Sequence, residues 1–506
     1  MTFESARRYI VKAPQGLTVH RAPNLNAPAG AELPQGTIVV CAECAEPEPG
    51  KPALRISAPA GWVDPNALDE AVAPASFALD WPDFEANHLT QAAGDHYGVV
   101  FPLTHRQFEE MGPAFLTEAF HASGTLNREN SVTRIENYKK IDSGGASITA
   151  AFDAYYANAK RPTPPQELFI KMPASDVQRK FVSSHMLFGE TEFARFTANG
   201  SLPFETSRYI FGDYCKRTAN GILITERIPY GISPIEEARP KGLDSLLPNA
   251  EEHYRTLNAL LARLVAFHTS GGFGPRLETV FPFRPAAAAM PPVPIDGLID
   301  FIAHDVPHLL PDAMSEEDFL IRFKEEASWI LAHLKELARA LHQDVDYTGF
   351  CHANLNLDNA WFWRDKEGAL QAGLIDWGAA GQMSLGQAFY GMLFASEPTK
   401  MLALRRSLVE SFIEDYAEAS GQRLVFDALL LRAKVACLLN LPMIVFAAEQ
   451  FLQNYAELDL KQVQGLTDPR FAEDDGFQTL FAMLGNALME WFDDDFDPID
   501  ACKAIL

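Results

Sequence analysis

Asn359 and Asp376 are the residues of this chain whose types and spacing most directly suggest chemistry. Between them lie an aromatic run, Trp361-Phe362-Trp363, a polar turn, Asp365-Lys366-Glu367-Gly368, and a second apolar run from Leu370 to Ile375, which together predict a β-hairpin. The midpoint of the two positions falls inside the turn. Asn359 therefore enters the hairpin where Asp376 leaves it, and two oxygen-bearing side chains share its open end. A hard cation such as Mg²⁺ takes one or two protein oxygens and completes its shell with substrate phosphates. This end offers such a pair, although an ordinary surface hairpin with polar ends has the same pattern.

Elements upstream must position the rest of such a site. Lys171 lies in Glu167-Leu168-Phe169-Ile170-Lys171-Met172, a predicted strand after a Pro-rich turn at Pro162 to Pro165. Glu190 lies between Met186 and Phe196, where Met186, Phe193 and Phe196 mark the apolar stripe of a short helix. A strand Lys followed about twenty residues later by a helical Glu is the pair that holds nucleotide phosphates in kinases. Glu192 competes for that role, with helix phase favouring Glu190. Further upstream, Gly144 and Gly145 precede an apolar-rich strand, Ile148 to Tyr156. Paired glycines let backbone N–H groups approach a phosphate, and a Gly-Gly hairpin turn explains them equally well.

Taken in order, the glycine turn, Lys171, Glu190, His352, Asn354, Asn359 and Asp376 resemble the aminoglycoside phosphotransferase and choline kinase-like superfamily, over residues from 100 to 480. The resemblance is strongest to the ecdysteroid kinase-like branch. It rests on the lead-in helix Pro102 to His121, the stretch from Gly124 to Val132, Phe169-Ile170-Lys171, Glu190-Thr191-Glu192-Phe193, the hinge-like Ile222 to Glu226, the helix closing on Leu264 to His268, and Leu374-Ile375-Asp376-Trp377-Gly378. It implies an α+β, two-lobed protein-kinase-like fold, with a small antiparallel sheet lobe, a large helical lobe, and ATP and Mg²⁺ between them. It also implies that Lys171 contacts the α- and β-phosphates, that Glu190 pairs with it, and that Glu226 to Ile228 give backbone contacts to adenine. Asn359 and Asp376 would hold the metal, and His352 would brace the catalytic loop. The chain departs from the family at Asn354, which takes the position of the catalytic Asp, at Gln387, where an Asp is usual, and at Asn356, where many members carry His.

Asn354 sets two function classes against each other. Phosphoryl transfer passes through a loose transition state in which positioning and charge stabilisation supply most of the catalysis. An amide can orient a substrate hydroxyl but takes no proton, and general bases contribute roughly 10²- to 10⁴-fold. The first expectation is therefore a slow ATP-dependent transfer to the hydroxyl of a small molecule. The alternative is a pseudokinase that binds nucleotide or another ligand and scaffolds. Asp358 as a substitute base would have to converge with its neighbour Asn359 on one point.

The first seventy residues read differently. Short runs, Gly16 to Arg21, Gly36 to Cys41 and Gly61-Trp62-Val63, alternate with turn residues and predict a small all-β barrel. They resemble the bacterial Src-homology-3-like module, which implies an intramolecular or protein-docking role. The expected organisation is a barrel over 1–70, a linker over 71–100, the small lobe with its lead-in helix over 101–230, and a mostly helical lobe over 231–506. Helices are predicted for Glu252 to His268, Glu316 to His342, Met401 to Ala419, Phe426 to Tyr455 and Gly476 to Phe492. Gly271-Gly272-Phe273-Gly274 follows a helix instead of a strand, so it predicts a helix C-cap and not a phosphate loop. His268 beside it reads as a packed histidine.

Composition bounds the setting. With 506 residues, 47% of them hydrophobic, the chain can fill several cores. A formal net charge of −25 argues against a nucleic-acid partner, which needs a basic footprint. Six cysteines include one close pair, Cys41 and Cys44, with no second pair to complete a zinc site, so reduced thiols are expected. The apolar stretch Val435 to Ala448, interrupted by Asn440 and Pro442, is too short to span a bilayer. The first residues lack the apolar core of a signal peptide, which predicts a cytoplasmic protein without a membrane partner. The acidic run Asp493 to Asp497 lacks the glycine and distal glutamate of a calcium loop.

Overall fold

The computed structural model describes residues 6–48, 51–71, 79–141, 147–160, 162–198, 200, 202–284, 293–465, 467–471 and 475–506. It is a mixed α+β structure with antiparallel sheets and an extensive helical part. The chain forms two compact units. One comprises Met1–Pro74, Arg239–Asp358 and Gly381–Leu506, the other Ala75–Ala238 and Asn359–Ala380.

The second unit is built on a five-stranded antiparallel sheet in the order Tyr209–Cys215, Asn220–Glu226, Glu167–Pro173, Ser147–Tyr156, Val132–Ile141. Alternation along the central strand decides what each face does. Leu168, Ile170 and Met172 are fully buried and pack with Phe101, Phe108 and Phe152. Successive side chains point to opposite faces, so Phe169 and Lys171 turn to the other side. The lead-in helix runs from His105 to Ala122, with the Thr104 hydroxyl accepting the Gln107 N–H. It kinks at Gly112, whose φ of 53° opens the backbone just before Pro113. The helix that follows the lysine strand, Val177–Thr197, is longer than the predicted short segment and is capped by Asp176, which accepts the Arg179 N–H at 2.7 Å. Part of the expected linker is itself structured: Trp81–Asn87 is helical, and Trp81 and Phe84 meet Phe181 at 5.0 and 5.1 Å. A three-stranded sheet joins Glu205–Thr206, Leu370–Leu374 and Ala360–Arg364.

In the first unit, residues 8–70 form a seven-stranded sheet, every pairing of which is antiparallel, around Tyr9, Val11, Val39, Leu54 and Ile56. This module is fastened to the helical part by the Arg8 guanidinium, which reaches Glu278 Oε2 at 2.9 Å and the Glu278 carbonyl at 2.8 Å. Arg55 adds two bonds to Asp346, at 2.6 and 2.7 Å. The helical core includes Phe301, Phe323, Ile330, Leu438, Phe477 and Leu484. Two predicted helices are each broken in two. Glu317–Ala332 and Leu334–Gln343 are separated at His333, and Phe426–Leu438 and Leu441–Asn454 at Asn440, where Pro442, having no N–H to give, starts a new first turn. Residues 426–454 are long and apolar enough to cross a bilayer, but 67% of their most apolar window is buried inside the protein, which marks a pair of core helices. The Gly271 turn is a helix cap as expected: φ is +80°, and the Gly271 and Gly272 N–H groups bond His268 O and Phe267 O at 2.8 Å each.

Candidate functional site

Lys171, Glu190 and Asp376 come from a strand, a helix and a turn and meet in one cluster. Lys171 Nζ donates to both Glu190 carboxylate oxygens at 2.9 Å and lies 3.2 Å from Asp376 Oδ1. The first two side chains are largely buried, 16% and 10% exposed, whereas Asp376 is 38% exposed. One cation therefore faces two carboxylates. Burial pushes the Glu190 carboxyl up to about 7, with Asp376 acting in the same direction and Lys171 against it. Burial also works against the Lys171 ammonium, but Asp376 and Glu190 outweigh it and hold its pKa above the ordinary value. Glu192, the rival by sequence, pairs instead with Arg195 one turn along its own helix.

Two glycines and an aromatic stack fix this geometry; the sequence reading passed over Gly189 and took Trp377, Gly378 and Phe193 only as motif or stripe positions, without these contacts. A Cβ on Gly189 would sit 2.6 Å from the Gly378 carbonyl oxygen, and one on Gly378 would sit 2.9 Å from the Met186 carbonyl oxygen. The helix carrying Glu190 and the turn carrying Asp376 thus touch backbone to backbone. Trp377 stacks on Phe193 at 4.0 Å and on Phe204 at 5.9 Å. Asp376 itself is left-handed, with φ 60° and ψ 58°. This conformation is uncommon outside glycine, and Asp is among the residues that tolerate it. A glycine inside a helix costs about 1 kcal/mol relative to alanine, so Gly189 was the available signal for a close approach.

The hairpin has nearly the predicted register. Ala360 pairs with Leu374 and Arg364 with Leu370, and the Ile375 N–H donates to Asn359 O at 3.0 Å. Asn359 thus stands opposite Ile375, with Asp376 one residue beyond. The turn is held by Asp365 Oδ1, which accepts the Glu367 and Ala369 N–H groups at 3.1 and 2.9 Å, and by Gly368 at φ 85°. Asn359 is buried. Among the described residues no group of three or more His, Cys, Asp or Glu side chains is placed to hold a metal. The donor set on offer at the hairpin end is a carboxylate and an amide.

His352 and Asn354 belong to the other unit. His352 ends the strand Thr348–His352, is fully buried, and accepts the Asn354 N–H on Nδ1 at 3.3 Å. Asn354 Oδ1 accepts from Nδ2 of the fully buried Asn356 at 2.9 Å. Position 354 is thus an amide whose carbonyl oxygen is held by a second amide. The loop sits hard against helix Leu385–Leu393, where a Cβ on Gly391 would lie 1.8 Å from the Ala353 carbonyl oxygen.

Of the residues expected at the base, Glu226 ends the strand Asn220–Glu226, opposite Leu168, while Lys171 is opposite Leu223. Those three positions amount to roughly 10 Å along the strand. The Glu226 N–H donates to Arg208 O at 2.9 Å, and the Ile228 carbonyl accepts the Tyr230 N–H at 3.0 Å, so the hinge backbone is partly engaged within the chain. Gly144 and Gly145 lie outside the described residues.

No family model matches the chain, and no curated protein matches it. Among solved structures its neighbours are aminoglycoside phosphotransferases and ethanolamine or choline kinases. It is similar to an ethanolamine kinase of Plasmodium vivax at 11% identity and a TM-score of 0.39, over 77% of this chain and 90% of that one. A microcompartment-associated aminopropanol kinase matches at 12% identity and 0.40, over 75% and 98%. A spectinomycin phosphotransferase, solved with ADP and spectinomycin, matches at 12% identity and 0.34, over 74% and 93%. TM-scores of 0.34 to 0.40 do not by themselves establish a shared fold.

Proposed function

We propose that this protein is an ATP-dependent phosphotransferase-like protein acting on a hydroxyl of a small molecule. The observation that carries this reading is the cluster of Lys171, Glu190 and Asp376. A buried ammonium oriented by one carboxylate suits the phosphates of a nucleotide, and the surplus negative charge suits a divalent cation. Asp376 and Asn359 are the residues that would hold Mg²⁺, whose hard character matches their oxygen donors. Bound there, the ion would neutralise charge on the phosphates. The chain's own residues do the rest: Lys171 positions the phosphates, Glu190 fixes the lysine, and the Gly189–Gly378 contact holds Asp376 to the same helix.

The five-stranded antiparallel sheet, with the Glu190 helix following the lysine strand, supports assigning 101–230 to a kinase-like small lobe. By the same reading 231–506 serves as the helical lobe, Glu226 and Ile228 border the base, and Gly144 and Gly145 the phosphates. His352 braces the loop through its bond to the Asn354 backbone. On this assignment the chain belongs with the aminoglycoside phosphotransferase and choline kinase-like superfamily, nearest the ecdysteroid kinase-like branch, and works in the cytoplasm. The N-terminal sheet, beyond which 71–100 serves as linker, is read as a Src-homology-3-like docking module.

A second reading, a pseudokinase that binds nucleotide or ligand without transfer, is favoured by position 354. An amide whose oxygen is already bonded by Asn356 cannot act as a general base. Calorimetric titration with ATP and Mg²⁺ tests both. Mg²⁺-dependent binding that vanishes in Lys171→Met is expected. Absence of nucleotide binding overturns the first reading and the nucleotide-binding form of the second, and binding without ADP release in the presence of any hydroxylated metabolite selects the second.

A further inference from the structure

The nucleotide reading leaves Cys41 and Cys44 unused. Both lie on strand Ile38–Glu48 of the N-terminal sheet. In a regular strand, residues three apart point to opposite faces. Here the pairing with Lys51–Ser57 slips: Cys41 stands opposite Ile56, Glu43 opposite Arg55 and Cys44 opposite Leu54, so Ala42 is the extra residue of a bulge. Leu54 and Ile56 share a face, and the two cysteines opposite them share it too. Their sulfurs are hydrogen-bonded, Sγ to Sγ, at 3.8 Å. Cys41 is fully buried in the core of the module with Leu54 and Ile56, whereas Cys44 is exposed.

The bulge is pinned from outside the module. Ala42 packs with Phe283 and Val345 of the helical part. Arg55 donates to Glu43 Oε2 at 3.0 Å and is itself bonded twice to Asp346. Folding therefore holds the two thiols side by side. A disulfide bond is about 2.05 Å long, so closing one brings the sulfurs nearer by roughly 1.8 Å, shared between a buried side chain and an exposed one.

We propose that Cys41 and Cys44 are a redox-active dithiol that closes to an internal disulfide by exchange with a small-molecule disulfide. Burial and the neighbouring Cys44 push the Cys41 thiol up, so it stays protonated, and the exposed Cys44 reacts first. Cys44 gives its proton to solvent and its thiolate attacks one sulfur of the oxidant. The oxidant's S–S bond breaks, and the departing thiolate takes up a proton. Cys41 then loses its proton and attacks the Cys44 sulfur, expelling the second thiolate, which is protonated in turn. Two protein thiols are oxidised and one disulfide is reduced to two thiols. In reducing surroundings the pair rests as thiols, and a disulfide formed there is transient or redox-sensing.

The test exposes the full chain to oxidised glutathione, unfolds it, blocks the remaining thiols with a maleimide and maps the peptides by mass spectrometry. In the parent, the peptide holding Cys41 and Cys44 should lose two hydrogens and take up neither maleimide nor glutathione, while the buried Cys215, Cys351, Cys437 and Cys502 all carry maleimide. The internal disulfide should exceed the Cys44 adduct by about tenfold or more, because even a flexible tether gives a millimolar effective concentration against micromolar released glutathione. In Cys41→Ala the adduct should accumulate on Cys44, and in Cys44→Ala the buried Cys41 should stay unmodified. A glutathione adduct that persists in the parent, or a pair that stays reduced, overturns the proposal without reference to any variant.

Discussion

Replacing Asp376 by Asn separates a stabilising role of the charged cluster from a functional one. In the parent, Lys171 faces Glu190 at 2.9 Å and Asp376 at 3.2 Å, one positive charge against two negative. The Glu190 carboxyl rises from 4.5 to about 7 on folding, a displacement worth about 3 kcal/mol. Burial is the larger cause and Asp376 contributes part. The sign is set by the proton. Between pH 4.5 and 7 the unfolded chain has released the Glu190 proton while the folded chain keeps it, so stability falls as pH rises through this window. The loss is complete above it. Asp376→Asn removes one carboxylate and leaves a balanced Lys171–Glu190 pair, and Asn adopts the left-handed backbone as readily as Asp. In metal-free buffer at pH 8 the variant should therefore match or exceed the parent, by up to about 1 kcal/mol, as expected for a partly exposed charge. Below pH 7, where the folded chain keeps the Glu190 proton, Asp376 is the carboxylate left facing Lys171, so the advantage of the variant should disappear and turn into a deficit.

With ligand the order reverses. A parent saturated to a hundred times its Kd with Mg²⁺-ATP gains about 2.7 kcal/mol, or several degrees in Tm at roughly 2–4 °C per kcal/mol. The variant should gain little beyond the metal-free nucleotide. Thermal melts at pH 4.5, 6 and 8, with and without Mg²⁺-ATP, give the complete comparison. A variant destabilised by more than about 2 kcal/mol without metal, against the near-neutral cost of an exposed pair, would show Asp376 to be structural. An undiminished Mg²⁺ effect would show that it holds no metal.

Other substitutions probe the remaining parts. Asn354→Asp should raise phosphate transfer by roughly 10²- to 10⁴-fold, read as ADP release across a panel of hydroxylated metabolites; no gain means the amide is not the block. Gly189→Ala should destabilise by about 1–3 kcal/mol, because its Cβ meets the Gly378 carbonyl oxygen at 2.6 Å, and should weaken Mg²⁺-ATP binding. Helix propensity alone predicts the opposite, a gain of up to about 1 kcal/mol, so the sign of the urea midpoint shift decides. Arg8→Ala leaves Glu278 buried without its guanidinium and should cost about 3–5 kcal/mol with nucleotide affinity unchanged, measured by denaturation and calorimetry in parallel.

Much of the candidate site was legible before any coordinates. The apolar run around it put Lys171 on a strand, and helix phase preferred Glu190 to Glu192. The midpoint of the hairpin placed Asn359 and Asp376 at one end to within a residue. Helix interruptions were harder to read. Periodicity runs through His333 and Asn440, but the helices stop there because a local backbone change, and at Asn440 the following proline, outweighs a continuing apolar stripe.

The sequence alone determined residue type and order: which side chains can carry charge, which strands and helices bear them, and that position 354 is an amide. Those properties follow from local periodicity and composition. The tertiary structure decided what the side chains face. Glu190 rises to about 7 because burial and Asp376 act on it together. Asp376 joins the cluster because Gly189 and Gly378 let two backbones touch. Each of these depends on segments far apart in the chain, and spacing along a sequence carries no record of such distances.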